Sequence, residues 1–229
     1  MVAQFVADLR SSLSPLRLEA YRPGTNGSDL DMVVNYFWNI DLAGALVSCL
    51  HAAELALRNS LNDTLVNHFQ SDMWFYEPNF LQSGQLMEFA KTLGKVVKKP
   101  PPLAGRLVAE LTFGFWTAII SSPYDYFWKS NGYHLFYQVF PGATGISRQD
   151  ICAQFVEIKN LRNRIAHYEA IWHMQDLQQK HQDIYQAIQW ISPTLGQAIA
   201  AVDNFQAILT GKAQVETSLK AHVGIPSPG

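Results

Sequence analysis

The sequence predicts an all-α protein, and three observations carry that expectation. Apolar residues recur at three- and four-residue spacings through long stretches of the 229-residue chain, which is the period of a helix with one face on a core. No segment sustains the period-two alternation of a half-buried strand between turn signals. Residues that open and close helices bracket several of the periodic stretches.

The elements follow in chain order. A first helix is expected at 3–18. The clearest one covers 41–68, with Asp41 as its N-cap and Leu42, Ala45, Leu46, Cys49, Leu50, Ala53, Leu57, Leu61 and Leu65 as its apolar face. Helices at 84–98 and 103–120 flank Pro100-Pro101-Pro102, a break too short to be a domain linker. Ser147-Arg148-Gln149-Asp150 resembles a capping box with Asp in place of Glu. It opens a helix over 148–166 that carries Ile151, Phe155, Ile158, Leu161 and Ile165 and ends near His167. Another helix is expected at 176–190. Ser192-Pro193, N-cap then N1, opens a C-terminal helix over 193–210 that Gly211 closes. Residues 222–229 read as a frayed tail. No internal repeat is visible, and the chain reads as a single domain over 1–229.

Hydrophobic residues make up 48% of the chain and charged residues only 16%. Such a composition fits a protein that hides surface in a partner or in a copy of itself. The net charge of −2 supplies no global field toward nucleic acid, so any RNA binding must come from local clusters. Cys49 and Cys152 lie in apolar helical stretches and read as reduced core residues. Met1-Val2-Ala3-Gln4-Phe5 lacks the basic start and apolar run of a signal peptide. No stretch reads as approaching the ~20 apolar residues of a membrane span. The expectation is a cytoplasmic protein without a membrane partner.

One stretch carries chemistry: Asn160-Leu161-Arg162-Asn163-Arg164-Ile165-Ala166-His167-Tyr168. A guanidinium holds a phosphate by paired hydrogen bonds, and an imidazole moves protons near neutral pH. Together they suffice to cut RNA without a metal, because RNA brings its own 2′-hydroxyl nucleophile. On a helix Asn163 and His167 share a face at i and i+4. Arg162 is turned about 100° from Asn163, so one phosphate touches all three only if a second surface supplies the opposite wall. The bland alternative is a helix C-terminal His beside surface arginines, Arg164 included.

On the 41–68 helix, His51, Glu54, Arg58 and Asn62 form one polar stripe, with Asn59 next to Arg58. The stripe is either a buried structural pairing of Glu54 with Arg58 or the lining of the same cleft, orienting Arg162 or His167. Lys91, Lys95, Lys98 and Lys99 fall on one helical face, with Arg106 beyond the prolines. They form a solvated face or an RNA-steering patch. Trp74-Phe75-Tyr76, Thr112-Phe113-Gly114-Phe115-Trp116 and Tyr124, Tyr126, Phe127 and Trp128 are mostly core by size, with base stacking as the alternative. No phosphate-loop motif is present. The isolated cysteines and the His167/His173 pair give no metal set, so no metal and no cofactor is expected.

These residues also match a family. Tyr36-Phe37-Trp38-Asn39, Glu54-Leu55-Ala56-Leu57-Arg58-Asn59, Trp74-Phe75-Tyr76, Leu111-Thr112-Phe113-Gly114-Phe115-Trp116 and Leu161-Arg162-Asn163-Arg164-Ile165-Ala166-His167 stand in an order and spacing that resembles the Abi-like (abortive infection) proteins of the HEPN superfamily. The resemblance covers about 36–172, and the C-terminal helix lies outside it. It implies a HEPN-like helical bundle with additional helices. It also implies a motif of Arg, a polar residue, a few variable residues and His, filled here by Arg162, Asn163 and His167. In such proteins the motif meets its copy at a homodimer interface and forms a composite, metal-independent ribonuclease site. The expected function is therefore anti-phage or stress-defence RNA cleavage, with any regulatory partner protein unidentified. The rival is a non-catalytic interaction module that binds RNA, a nucleotide or a protein. Burial separates them: a His167 enclosed in its own subunit disfavours the enzyme.

Overall fold

The computed structural model describes residues 2–98 and 103–224, so Lys99, the triple proline and the 225–229 part of the expected tail lie outside the described residues. The protein is all-α, with no strand among the described residues. The helices are α1 (Val2–Leu13), α2 (Pro15–Glu19), α3 (Asp29–Phe69), α4 (Ser83–Val96), α5 (Leu103–Glu110), α6 (Phe113–Ile119) and α7 (Asp125–Ser130). They continue as α8 (His134–Val139), α9 (Arg148–Ala166), α10 (Leu177–Ile191), α11 (Pro193–Ala200), α12 (Phe205–Thr210) and α13 (Lys212–His222). Short 3-10 turns stand at Trp74–Tyr76 and Ser122–Tyr124.

Helix α3 begins at Asp29, not at Asp41. Its start is a reciprocal capping box: Ser28 N–H donates to Asp31 Oδ2 at 3.1 Å, and Asp31 N–H donates to Ser28 Oγ at 3.1 Å. The same pattern opens α9, where Asp150 N–H donates to Ser147 Oγ at 3.1 Å. The 28–41 stretch carries Asn35, Asn39 and Asp41. Asn35 and Asn39 are in fact buried and hydrogen-bonded to loop backbone, so they do not interrupt it. Contrary to the sequence reading, α3 is long and apolar enough to cross a membrane by length and composition, a test that the core helix of a globular protein also passes. Its polar residues are dispersed, so a search for an uninterrupted run misses it.

Three expected helices are broken. The one at 3–18 splits at Ser14 (φ 66°), whose side chain accepts from Arg17 N–H while Pro15 starts α2. A residue before proline is driven out of the helical region. The one at 103–120 splits at Thr112, which caps α6 by accepting from Phe115 N–H. The one at 193–210 opens at Ser192 as expected but is interrupted between Ala200 and Phe205. Helices α7, α8 and α13 were not anticipated; they are short or flanked by polar residues that hide their period.

The chain divides into two compact units, each discontinuous in sequence. The first draws on Met1–Cys49, Leu161–Gln182 and Val202–Gly229. Its core is Val6, Leu18, Tyr21, Met32 and Val33, covered by Tyr36, Phe37, Trp172 and Leu219 among others. A charge ring fastens α1, α2 and the start of α3: Arg10 and Arg22 each bridge both Glu19 and Asp29, at 2.6–3.1 Å. Hydrogen bonding to Arg22 holds the Glu19 carboxyl down at about 2.

The second unit comprises Leu50–Asn160 and Asp183–Ala201. Its core is aromatic. Phe75 stacks on Phe89 at 5.3 Å, and Trp128 meets Phe136 edge-to-face at 5.3 Å. Two of its buried indoles find partners, Trp74 Nε1 donating to Asn62 and Trp128 Nε1 to the Ile119 carbonyl, whereas Trp116 Nε1 has none. These aromatic segments are therefore core, with Tyr76 and Tyr126 the exposed exceptions. Arg148 anchors the start of α9 through Asp125 and the Ile120 carbonyl. Gly142 is needed where its N–H donates to Trp190 O at 2.8 Å, since an added Cβ would lie 2.5 Å from the Gln189 carbonyl.

Candidate functional site

Helix α9 ends in a Schellman closure. Tyr168 N–H donates to Ile165 O at 3.0 Å, and Glu169 N–H donates to Arg164 O at 2.8 Å. The closure needs a left-handed residue, normally glycine, and Tyr168 fills it with φ 57°. Left-handed backbone costs a non-glycine residue roughly 1–2 kcal/mol, so the surroundings must over-determine it. Three contacts do so. Arg17 Nη2 donates to the Tyr168 carbonyl at 3.2 Å, and its guanidinium lies 5.7 Å from the Tyr168 ring centroid. Arg164 reaches over the closure to the Ala170 carbonyl at 3.0 Å and the Glu169 carboxylate at 3.5 Å. Buried Asn39 of α3 accepts from Ile171 N–H at 2.7 Å and Trp172 N–H at 3.1 Å, fixing the loop that follows.

The last turn of α9 is thus held on both sides. His167 donates its backbone N–H to Asn163 O at 2.9 Å, and both side chains are exposed. Arg162 is half-buried. The imidazole is open to solvent, so the burial test that would disfavour an enzyme is not met. Arg164 is committed to the closure, which gives it a structural task in place of a free RNA contact. Sequence reasoning missed Arg17, Asn39 and the unusual Tyr168. Asn39 and Tyr168 each stood in a segment singled out from the sequence, whereas nothing there pointed to Arg17.

The other candidates belong to the second unit, whereas Arg162, Asn163 and His167 belong to the first. His51 and Asn59 are exposed there, while Glu54 and Arg58 are half-buried. Arg58 Nε donates to Asn59 Oδ1 at 3.2 Å. Asn59 also lines a cleft of about 470 Å³ with Ser60, Asp63, Thr64 and Gln138. Lys91, Lys95 and Lys98 are all exposed at and just beyond α4, and Lys99 lies outside the described residues. Arg106 is half-buried with an enclosed Nη1, which leaves less of it for a surface contact.

The two thiols differ. Cys152 donates to the Ile120 carbonyl at 2.6 Å, and burial pushes its thiol up to about 11, so it stays protonated. Cys49 is buried in the first unit, and there the fold brings it together with His181 and Asp203. No spacing in the sequence announces that cluster.

No protein-family model matches the chain, and no curated protein or solved structure is significantly similar to it.

Proposed function

We propose that the chain is an Abi-like protein of the HEPN superfamily, built on a HEPN-like bundle, that acts in the bacterial cytoplasm as a dimeric, metal-independent endoribonuclease in phage or stress defence. The supporting observation is the locked last turn of α9, which presents Asn163 and His167 to solvent beside Arg162. A pre-positioned acid–base group needs its own backbone fixed, and the Schellman closure with its three ties does that.

In this reading Arg162 binds the scissile phosphate and opposes the negative charge that grows on it. His167 of one copy takes the 2′-hydroxyl proton as the 2′-oxygen bonds to phosphorus. As the bond from phosphorus to the 5′-oxygen breaks, His167 of the second copy protonates that oxygen. The products are a 2′,3′-cyclic phosphate and a 5′-hydroxyl. The second copy is also the wall that a single helix face cannot supply. Long RNA tracks the exposed lysines 91, 95 and 98.

The test is incubation of purified protein with total RNA in excess EDTA, beside His167→Ala and a 2′-O-methylated substrate. Cleavage should persist in EDTA and fail on the methylated strand. His167→Ala should slow cleavage roughly 10²–10⁴-fold. A His167→Ala protein that cleaves like wild type would overturn the assignment, and the non-catalytic interaction module would replace it.

A further inference from the structure

The first unit contains a second set of reactive side chains, gathered from three distant segments. Cys49 comes from α3, His181 from α10 and Asp203 from the turn before α12, and their donor atoms all lie within 4.8 Å of one another. His181 Nε2 is 2.8 Å from Asp203 Oδ2. The imidazole stacks flat on Phe205, centroids 4.3 Å apart at 15°. The other oxygen of Asp203 accepts from Phe205 N–H at 2.8 Å. Cys49 is 0% exposed, whereas the His181 and Asp203 side chains keep 16% and 12% of their surface.

This arrangement has the attributes of a metal site. The donors are one thiolate, one imidazole nitrogen and one carboxylate oxygen, a mixed set that suits zinc-class ions over magnesium or calcium. Two of the three ligands are already aimed by neighbours, the ring by Phe205 and the carboxylate by a backbone amide, which is the role of outer-sphere groups around metals. Tetrahedral bonds of about 2.0–2.3 Å place ligand atoms roughly 3.3–3.8 Å apart. The closest pair must open by about half an ångström, and a pair at the 4.8 Å bound would have to close by about one. Three protein ligands leave a fourth position for water on the partly exposed His181–Asp203 side. A thiol nucleophile with a His–Asp relay is the competing use of these residues, but it needs a sulfur that substrate can reach, and Cys49 is sealed.

We propose that Cys49, His181 and Asp203 bind one zinc-class divalent ion that staples α3 to α10 and to the turn before α12. On binding, Cys49 loses its thiol proton to solvent. The imidazole proton shared with Asp203 moves to the other ring nitrogen, and both groups turn a lone pair to the ion. Affinity therefore falls as pH falls. The ion ties segments far apart in the chain, so its effect is on stability; the proposed RNA chemistry at His167 does not use it.

The test is titration of EDTA-stripped, desalted full-length protein with Co²⁺ and then Zn²⁺. One equivalent of Co²⁺ should bind with tetrahedral d–d absorption and a thiolate-to-cobalt charge-transfer band, which Zn²⁺ displaces while raising the melting temperature. Cys152→Ser should retain the band and Cys49→Ser should lose it. His181→Gln and Asp203→Asn should each weaken Zn²⁺ binding more than about 100-fold, beyond the usual loss from an outer-sphere change. Wild-type protein without the charge-transfer band overturns the proposal however the variants fold, as does a band that survives Cys49→Ser.

Discussion

His167 and His181 belong to the same unit, and they differ in every respect that makes an imidazole useful. His167 stands exposed at the end of α9, with its neighbours Arg162 and Asn163 supplied by the same helix. His181 is half-buried, flat against Phe205, and its neighbours come from residues 49 and 203. The first grouping is written along the chain; the second is assembled by the fold. An exposed imidazole with no side-chain partner among the described residues suits transient contact with a large substrate and a second subunit. An imidazole stacked, hydrogen-bonded and next to a thiol suits permanent coordination.

Three measurements sharpen this contrast. The largest effect is expected at Arg162. If the exposed set works as a phosphate site, Arg162→Ala should reduce RNA cleavage roughly 10²–10³-fold, the loss typical of one transition-state donor. Arg162→Lys should restore little of it, because a point charge lacks the planar fork. Full activity in Arg162→Lys would mean that only local positive charge matters.

A smaller effect is expected at the scaffold. Asn39→Ala strands the buried amide of Ile171 and the part-buried amide of Trp172, and should destabilise the protein by about 1–3 kcal/mol in denaturant unfolding. Below its melting temperature the same variant should also lose cleavage, since the loop after His167 is no longer fixed. A variant that is destabilised but fully active would separate the anchor from the site.

The smallest effect concerns acid. Glu19 is held at about 2, against an ordinary value of 4.5, by Arg22 first and Arg10 after it. A depressed carboxyl adds stability that is present above about 4.5 and is lost as pH falls toward about 2. Glu19→Gln should therefore flatten the acid limb of the unfolding profile in that window. The group is exposed, so the effect should fade in high salt. An unchanged acid limb would show that the charge ring contributes nothing in solution.

Much of the fold was legible. The S-x-x-D pattern at 147–150 and the Ser192-Pro193 start mark real helix openings, because capping is a local reaction between neighbours. The same pattern at 28–31 was equally readable and went unread, and the buried Asn35 and Asn39 within that helix each take a backbone partner that only the fold brings to them. The breaks at Ser14 and Thr112 are also local, a residue before proline and a threonine cap, and were overlooked because the apolar period runs on through both. Arg162, Asn163 and His167 could be grouped from the sequence because the last turn of one helix brings them close along the chain. Arg17, Asn39 and the Cys49–His181–Asp203 cluster were not, since no one-dimensional spacing encodes their proximity.

The Asn39 anchor also has a consequence in time. Its bond to Ile171 joins residues 132 apart in the chain. At a synthesis rate of about 5–20 residues per second, that separation takes roughly 7–26 s to emerge. Helix α9 can close its last turn from local signals as soon as it is made. The loop beyond His167 cannot be tied down until Trp172 has been made and has found Asn39. A nascent chain therefore carries the Arg162–His167 segment before it carries the fixed loop that follows it.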